Sequence, residues 1–173
     1  MIEWIPSIIT GIISGIIASI IFFVILLFIR PNVKISDNIS CRSLDDNHLE
    51  YKIKILNKSM AMLSNVQYTL YFCKEGKDGM HTMEVIPPRK KPLTSLAKYG
   101  LYKKNIDYAM SITYDIDPIQ YTLTNNSKLI FVLVCNHSLS NTTTCIQKEY
   151  RKSNIIEGIF ETDKSMKVLE REE

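Results

Sequence analysis

Two patterns divide this chain. From Ile5 to Ile29 apolar residues run on without one charged side chain, and after Arg30 they alternate with polar residues in short bursts. The first pattern predicts a single transmembrane helix. A bilayer core of about 30 Å takes roughly 20 apolar residues at a rise of about 1.5 Å each, and Pro6 to Ile29 supplies that length. Pro6 is tolerated in the first turn, where its missing N–H would be unpaired anyway. Trp4 suits the membrane interface, and Arg30-Pro31 ends the run with a charge and a helix breaker. A cleaved signal peptide fits less well: the run is too long, no basic segment precedes it, and no small-x-small site lies before Arg30.

The second pattern predicts strands. In LEYKIKILN, Leu49, Tyr51, Ile53 and Ile55 face one way, and Glu50, Lys52 and Lys54 face the other, wet side. VQYTLYF turns Val66, Tyr68, Leu70 and Phe72 inward. IDYAMSITYDI does the same with Ile106, Tyr108, Met110, Ile112, Tyr114 and Ile116. LIFVLVC, residues 129–135, is apolar throughout and suits a central strand covered on both faces. Shorter candidates are Val33–Ser36, Met80–Ile86, Thr143–Tyr150 and Ile155–Thr162. Turn residues at Asp45–His48, Lys74–Gly79, Thr124–Ser127 and Asn136–Thr142 separate them. The expected fold is therefore an N-terminal single transmembrane α-helix followed by an all-β domain, an antiparallel immunoglobulin-like β-sandwich, with a small closed β-barrel as the alternative. The expected divisions are an anchor over 1–30, a β-domain over 31–163 and a charged tail, frayed or briefly helical, over 164–173.

Charge sets the orientation. Arg30 and Lys34 follow the span and no Lys or Arg precedes it, so the positive-inside rule puts the β-domain in the cytoplasm and the N-terminus outside. Glu3 is the only charge before Arg30, which leaves 21 basic and 17 acidic residues for the rest, a net of +4. That is well short of the excess a duplex nucleic-acid binder carries.

Within the helix, Ser7, Gly11, Gly15 and Ser19 recur at every fourth position, beside a second small row of Thr10, Ser14 and Ala18. In lipid, helices associate by close backbone approach, which small residues permit. The stripe predicts a homo-oligomer assembled through the membrane helix. The segment Pro87 to Asn105 is the other conspicuous stretch. It holds Arg89, Lys90, Lys91, Lys98, Lys103 and Lys104, no acid, and Tyr99 and Tyr102 between them. Cations bind phosphate and tyrosine rings stack on bases, so these eight residues are the candidate ligand site. The same composition also suits contact with anionic headgroups, or plain solvation.

Catalytic signatures are absent. His48, His81 and His137 have no partners at triad or ligand spacing and read as surface side chains; there is no phosphate loop, zinc-protease motif or nucleophile elbow. No enzyme activity, metal or cofactor is expected. Asp107, Asp115 and Asp117 share one strand face, more simply the solvated side of a sheet than a cation site. Cys41, Cys73, Cys135 and Cys145 have no zinc spacing and read as buried thiols in a reducing compartment. The rival reading is a disulfide-bonded ectodomain with Cys135 and Cys145 meeting across a hairpin. Sequons at Asn38, Asn57, Asn125, Asn136 and Asn141 would be glycosylated there.

An apolar N-terminus followed by RPNVKIS, YKIKILNKS, NHSLSNTTTCIQKEY and IIEGIF resembles small bacterial membrane-anchored proteins with a cytosolic β-domain. The layout is also similar to membrane effectors of bacterial antiphage defence, in which a β-domain senses a cyclic nucleotide and the helices oligomerise. Those effectors often carry two or more membrane helices, and this chain has one. The functional expectation is a single-pass cell-membrane protein whose β-domain binds a protein partner or ligand. A nucleotide-sensing oligomeric effector and a glycosylated ectodomain are the alternatives.

Overall fold

A computed structural model describes residues 4–29, 31–45, 48–59, 61–76, 80–90, 94–98, 109–117, 121–124, 126–162 and 164–170. The chain forms two compact units, residues 1–30 and 31–173. The first is one helix, α1 (Trp4–Phe28), with no break at Gly11 or Gly15.

The second unit is all β, with two sheets, one of them curled into a half-barrel. Its strands are β1 (Val33–Ile35), β2 (Ile39–Asp45), β3 (His48–Asn57), β4 (Leu63–Glu75), β5 (His81–Ile86), β6 (Ser95–Leu96), β7 (Ala109–Ile116), β8 (Ser127–His137), β9 (Thr143–Tyr150), β10 (Ile155–Phe160) and β11 (Val168–Glu170). In one sheet β3 is central. It pairs with β7 along one edge, and with β1 and β2 in succession along the other. Beyond β2 lie β10 and then β11. In the other sheet β8 lies between β4 and β9, while β5 and β6 share the far edge of β4.

One apolar core joins the two sheets. Ile39, Ile53, Ile55 and Tyr114 come from the first; Leu70, Leu129, Phe131, Leu133 and Tyr150 come from the second. The inward residues of β7 and β4 follow the period of two that their sequences predict: Ile112, Tyr114 and Ile116 are buried, and so are Val66, Leu70 and Phe72. Tyr150 at the end of β9 also ties the layers, donating from its hydroxyl to the Ser36 carbonyl at 2.7 Å.

Several expectations need correction. The β2–β10 pair is parallel, so the domain is not wholly antiparallel. β2, β6 and β11 lie outside the predicted strands; β11 replaces the frayed or helical tail. The second face of β3 is not wet. Glu50 and Lys54 are both buried. The Lys54 ammonium donates to the carbonyls of Glu161 at 2.8 Å and Ser165 at 2.7 Å and lies 6.0 Å from the Phe160 ring centre. The segment joining β10 to β11 thus covers that face. β8 is the central strand its composition predicts, yet its outer face, with Val132 and Val134, is only half-covered.

Gly158 makes the C-terminal hairpin possible. Its φ of +148° is glycine backbone, and a Cβ there would lie 2.0 Å from the Leu169 carbonyl oxygen. Its own carbonyl accepts from the Ser40 hydroxyl at 2.6 Å, holding β10 to β2 just where their pairing ends.

Candidate functional site

The helix bears a groove lined by Gly11, Ile12, Gly15, Ile16, Ser19, Ile20 and Phe23. Ser7 is exposed on the same i, i+4 row. The hydroxyls beside this groove are satisfied within the helix. Thr10 donates to the Pro6 carbonyl at 2.8 Å, Ser14 to Thr10 at 2.9 Å and Ser19 to Gly15 at 2.8 Å. They therefore carry no unmet polar demand into an apolar medium. A Cβ at Gly11 or Gly15 would meet nothing within 4 Å. The chain's own packing does not call for these glycines, although each costs about 1 kcal/mol of helix propensity against alanine.

The basic segment is divided. Arg89, Lys90 and Lys98 are described; Lys91, Tyr99, Tyr102, Lys103 and Lys104 lie outside the described residues. Pro88 bridges to Tyr114, and the Arg89 N–H donates to the Thr113 carbonyl at 2.9 Å, so this part of the segment lies along β7. The Arg89 guanidinium is engaged: it lies 3.0 Å from a Glu50 oxygen and 3.6 Å from Asp115. Glu50 also pairs with Lys52 at 2.8 Å. Burial pushes the Glu50 carboxyl up, but Lys52, Arg89 and Arg42 outweigh it and hold the group below the usual carboxylate range. Of the described candidates, Lys90 and Lys98 are exposed, and they sit on separate segments. Arg89, the third described candidate, is half-exposed and engaged in these ion pairs.

A second groove, of about 420 Å³, opens where β10 leaves β2. Cys41, Arg42, Ser43, Glu157, Gly158, Ile159, Leu169 and Glu170 line it. Ile159 and Leu169 are register partners and both are exposed, a paired apolar surface with Arg42 and two carboxylates around it. Burial, with Glu157 nearby, pushes the Cys41 thiol up to about 11. It stays protonated near neutrality and is a poor nucleophile. Sequence reasoning missed this groove; the glycine inside the alternating IIEGIF was its only local sign.

Other sequence candidates resolve individually. His137 is not a surface residue. It closes β8, is buried, and its Nδ1 lies 3.0 Å from the Ser140 hydroxyl and 3.3 Å from the Ser140 amide. Cys145 is register partner of Val134, one place from Cys135, so the alternation of side chains sends the two thiols to opposite faces: Cys135 is buried and Cys145 exposed. They do not bridge. Cys41 is half-buried, so the expectation of four buried thiols holds only in part. Asn57 is fully buried, its amide nitrogen donating to the carbonyls of Ala61 at 3.0 Å and Ala97 at 2.8 Å. A glycan has no room there in the folded domain. Asp107 and Asn125 lie outside the described residues, and Asp115 faces Arg89. Among the described residues, no group of three or more His, Cys, Asp or Glu side chains is placed to hold a metal ion. No protein-family model and no curated protein matches the chain.

Proposed function

We propose that this is a single-pass membrane protein that self-associates through α1 and presents its β-domain, in the cytoplasm, to a protein partner. The β-domain is read as an immunoglobulin-like sandwich on the strength of its two layers around one core, and its role as binding and assembly without catalysis. One observation carries the proposal: α1 is long and apolar enough to cross a membrane and bears a smooth groove at glycines that its own packing does not need. A second helix approaching along Ser7, Gly11, Gly15 and Ser19 gives those glycines a purpose. The groove beside β10 is the preferred partner site, because Ile159 and Leu169 offer an apolar anchor point within a charged rim.

Nucleotide sensing is less favoured, because the segment's only arginine is held by Glu50 and Asp115. The ectodomain reading loses support from the opposed faces of Cys135 and Cys145 and from the burial of Asn57.

Crosslinking in membranes tests the assembly. The wild-type chain is expected to give crosslinked species through the span, and Gly11→Ile with Gly15→Ile to abolish them while membrane insertion persists. Undiminished crosslinking in the double variant would overturn the helix interface.

A further inference from the structure

The two ends of the β-domain differ in charge. β3 and β8 run toward one end, and β4 and β9 leave from it. Asn32 lies at this end: its N–H donates to the Ser59 hydroxyl at 2.8 Å and its carbonyl accepts the Lys58 N–H at 2.7 Å. Here the chain also leaves β6 toward Lys98 and re-enters as β7 opposite Leu56. The stretches that meet here, residues 31–36, 55–70, 94–98 and 134–146, contain no Asp or Glu, and Lys34, Lys58 and Lys98 are exposed; Asp37, just beyond, pairs with Lys148 and lies near Lys34. The opposite end is mixed: Glu75 closes β4 and Asp117 follows β7, but Lys74 adjoins Glu75 and Arg151 and Lys152 follow β9, all three of them exposed.

Apolar side chains accompany the lysines. Leu139, at the tip of the β8–β9 turn, is 62% exposed, and Met62 is 44% exposed. The Ser138 N–H donates to the Met62 carbonyl at 3.1 Å, so the two belong to one surface. Backbone hydrogen bonds close the turn: the His137 N–H donates to the Thr142 carbonyl and the Asn141 N–H to the His137 carbonyl, with Asn141 at a φ of 52°. Only Arg30 and Pro31 separate Asn32 from Ile29, the last residue of the apolar run. Chain connectivity alone keeps Asn32 within about 10 Å of it.

We propose that this end of the β-domain docks on the headgroup layer of an anionic leaflet. Leu139 and Met62 enter the interface, and Lys58 and Lys98 meet lipid phosphates. Lys58 and Lys98 around two exposed apolar side chains match a layer that is anionic outside and apolar within. The same face pressed to the bilayer leaves the opposite end, of mixed charge, free for partners. The inference rests on α1 being a membrane span.

The test uses the full-length chain in vesicles of phosphatidylcholine and phosphatidylserine, with Cys145→Ser removing the exposed thiol. A nitroxide is attached through Ser138→Cys, with Glu75→Cys as the reference at the far end. At 138 collisions with oxygen are expected to exceed those with a water-soluble nickel chelate, and at 75 the reverse. Leu139→Asp should return the 138 label to water. Lys58→Gln and Lys98→Gln should each lower the shielded population about fivefold relative to the exposed one. A 138 label as open to nickel as the 75 label, in chains that float with the vesicles after an alkaline wash, overturns the docking and leaves the span standing. Chains that do not float overturn both.

Discussion

At Gly158 one missing methyl group shapes the C-terminal hairpin. The nearest obstacle to a side chain is the Leu169 backbone, which cannot swing aside as a flexible side chain would. Gly158→Ala should therefore cost about 3 kcal/mol, combining strain at that φ with the clash, read as a lower midpoint in chemical denaturation. His137 carries a pH dependence. Burial lowers its pKa from the ordinary 6.5, so the folded state resists protonation. Above that value the ring is neutral whether the chain is folded or not. As pH falls below it the unfolded chain takes the proton first, and stability drops until the folded state's lower pKa is passed. A denaturation series from pH 7.5 to 5, values of about one buffer range either side of the ordinary pKa, should show this decline in wild type and a flatter profile in His137→Gln. Equal slopes would show that another group titrates.

At the scale of elements, the C-terminal hairpin is fastened at both ends of its connection to the sheet. Ser40 holds Gly158, and Lys54 reaches across to the carbonyls of Glu161 and Ser165. Lys54→Met keeps most of the apolar stem but loses the charged donor. It should cost about 2 kcal/mol and raise amide exchange selectively in residues 158–170. Exchange rising equally throughout β3 would mean that the lysine supports the sheet rather than the hairpin. The same hairpin walls the groove lined by Ile159 and Leu169, so loosening it is expected to reshape that surface while the main core stays packed.

For the molecule as a whole, orientation decides which readings survive. A C-terminal reporter active only in the cytoplasm is expected to be active, because Arg30 and Lys34 flank the span on that side. Activity of an external reporter alone would reverse the orientation and remove the anionic leaflet from reach of Lys58 and Lys98. The lysine-bearing end of the β-domain is the one that carries Asn32. Assembly through α1 and docking through the β-domain would then act together, because a docked domain has fewer orientations in which to meet its neighbours.

The sequence by itself determined the apolar helix, the all-β character of the remainder and the inward residues of β3, β4 and β7. Each follows from a local period, and local periods survive in one dimension. Only the tertiary structure decided what covers those patterns. Lys54 has the alternation of an exposed residue, and is buried because a segment more than a hundred positions away folds over it. Arg89 reads as a free cation, and is paired because β3 and β7 bring Glu50 and Asp115 beside it. β6 and β11, of two and three residues, are too short to show a period, and β2 (ISCRSLD) lacks a clean apolar alternation; β6 and one edge of β2 are defined by partners distant in the chain. Cys135 and Cys145 look bridgeable by spacing, yet a register offset of one residue turns them to opposite faces. Register is settled where strands meet, by the buried pattern and the turn that joins them, and long-range cover comes from segments far away in the chain.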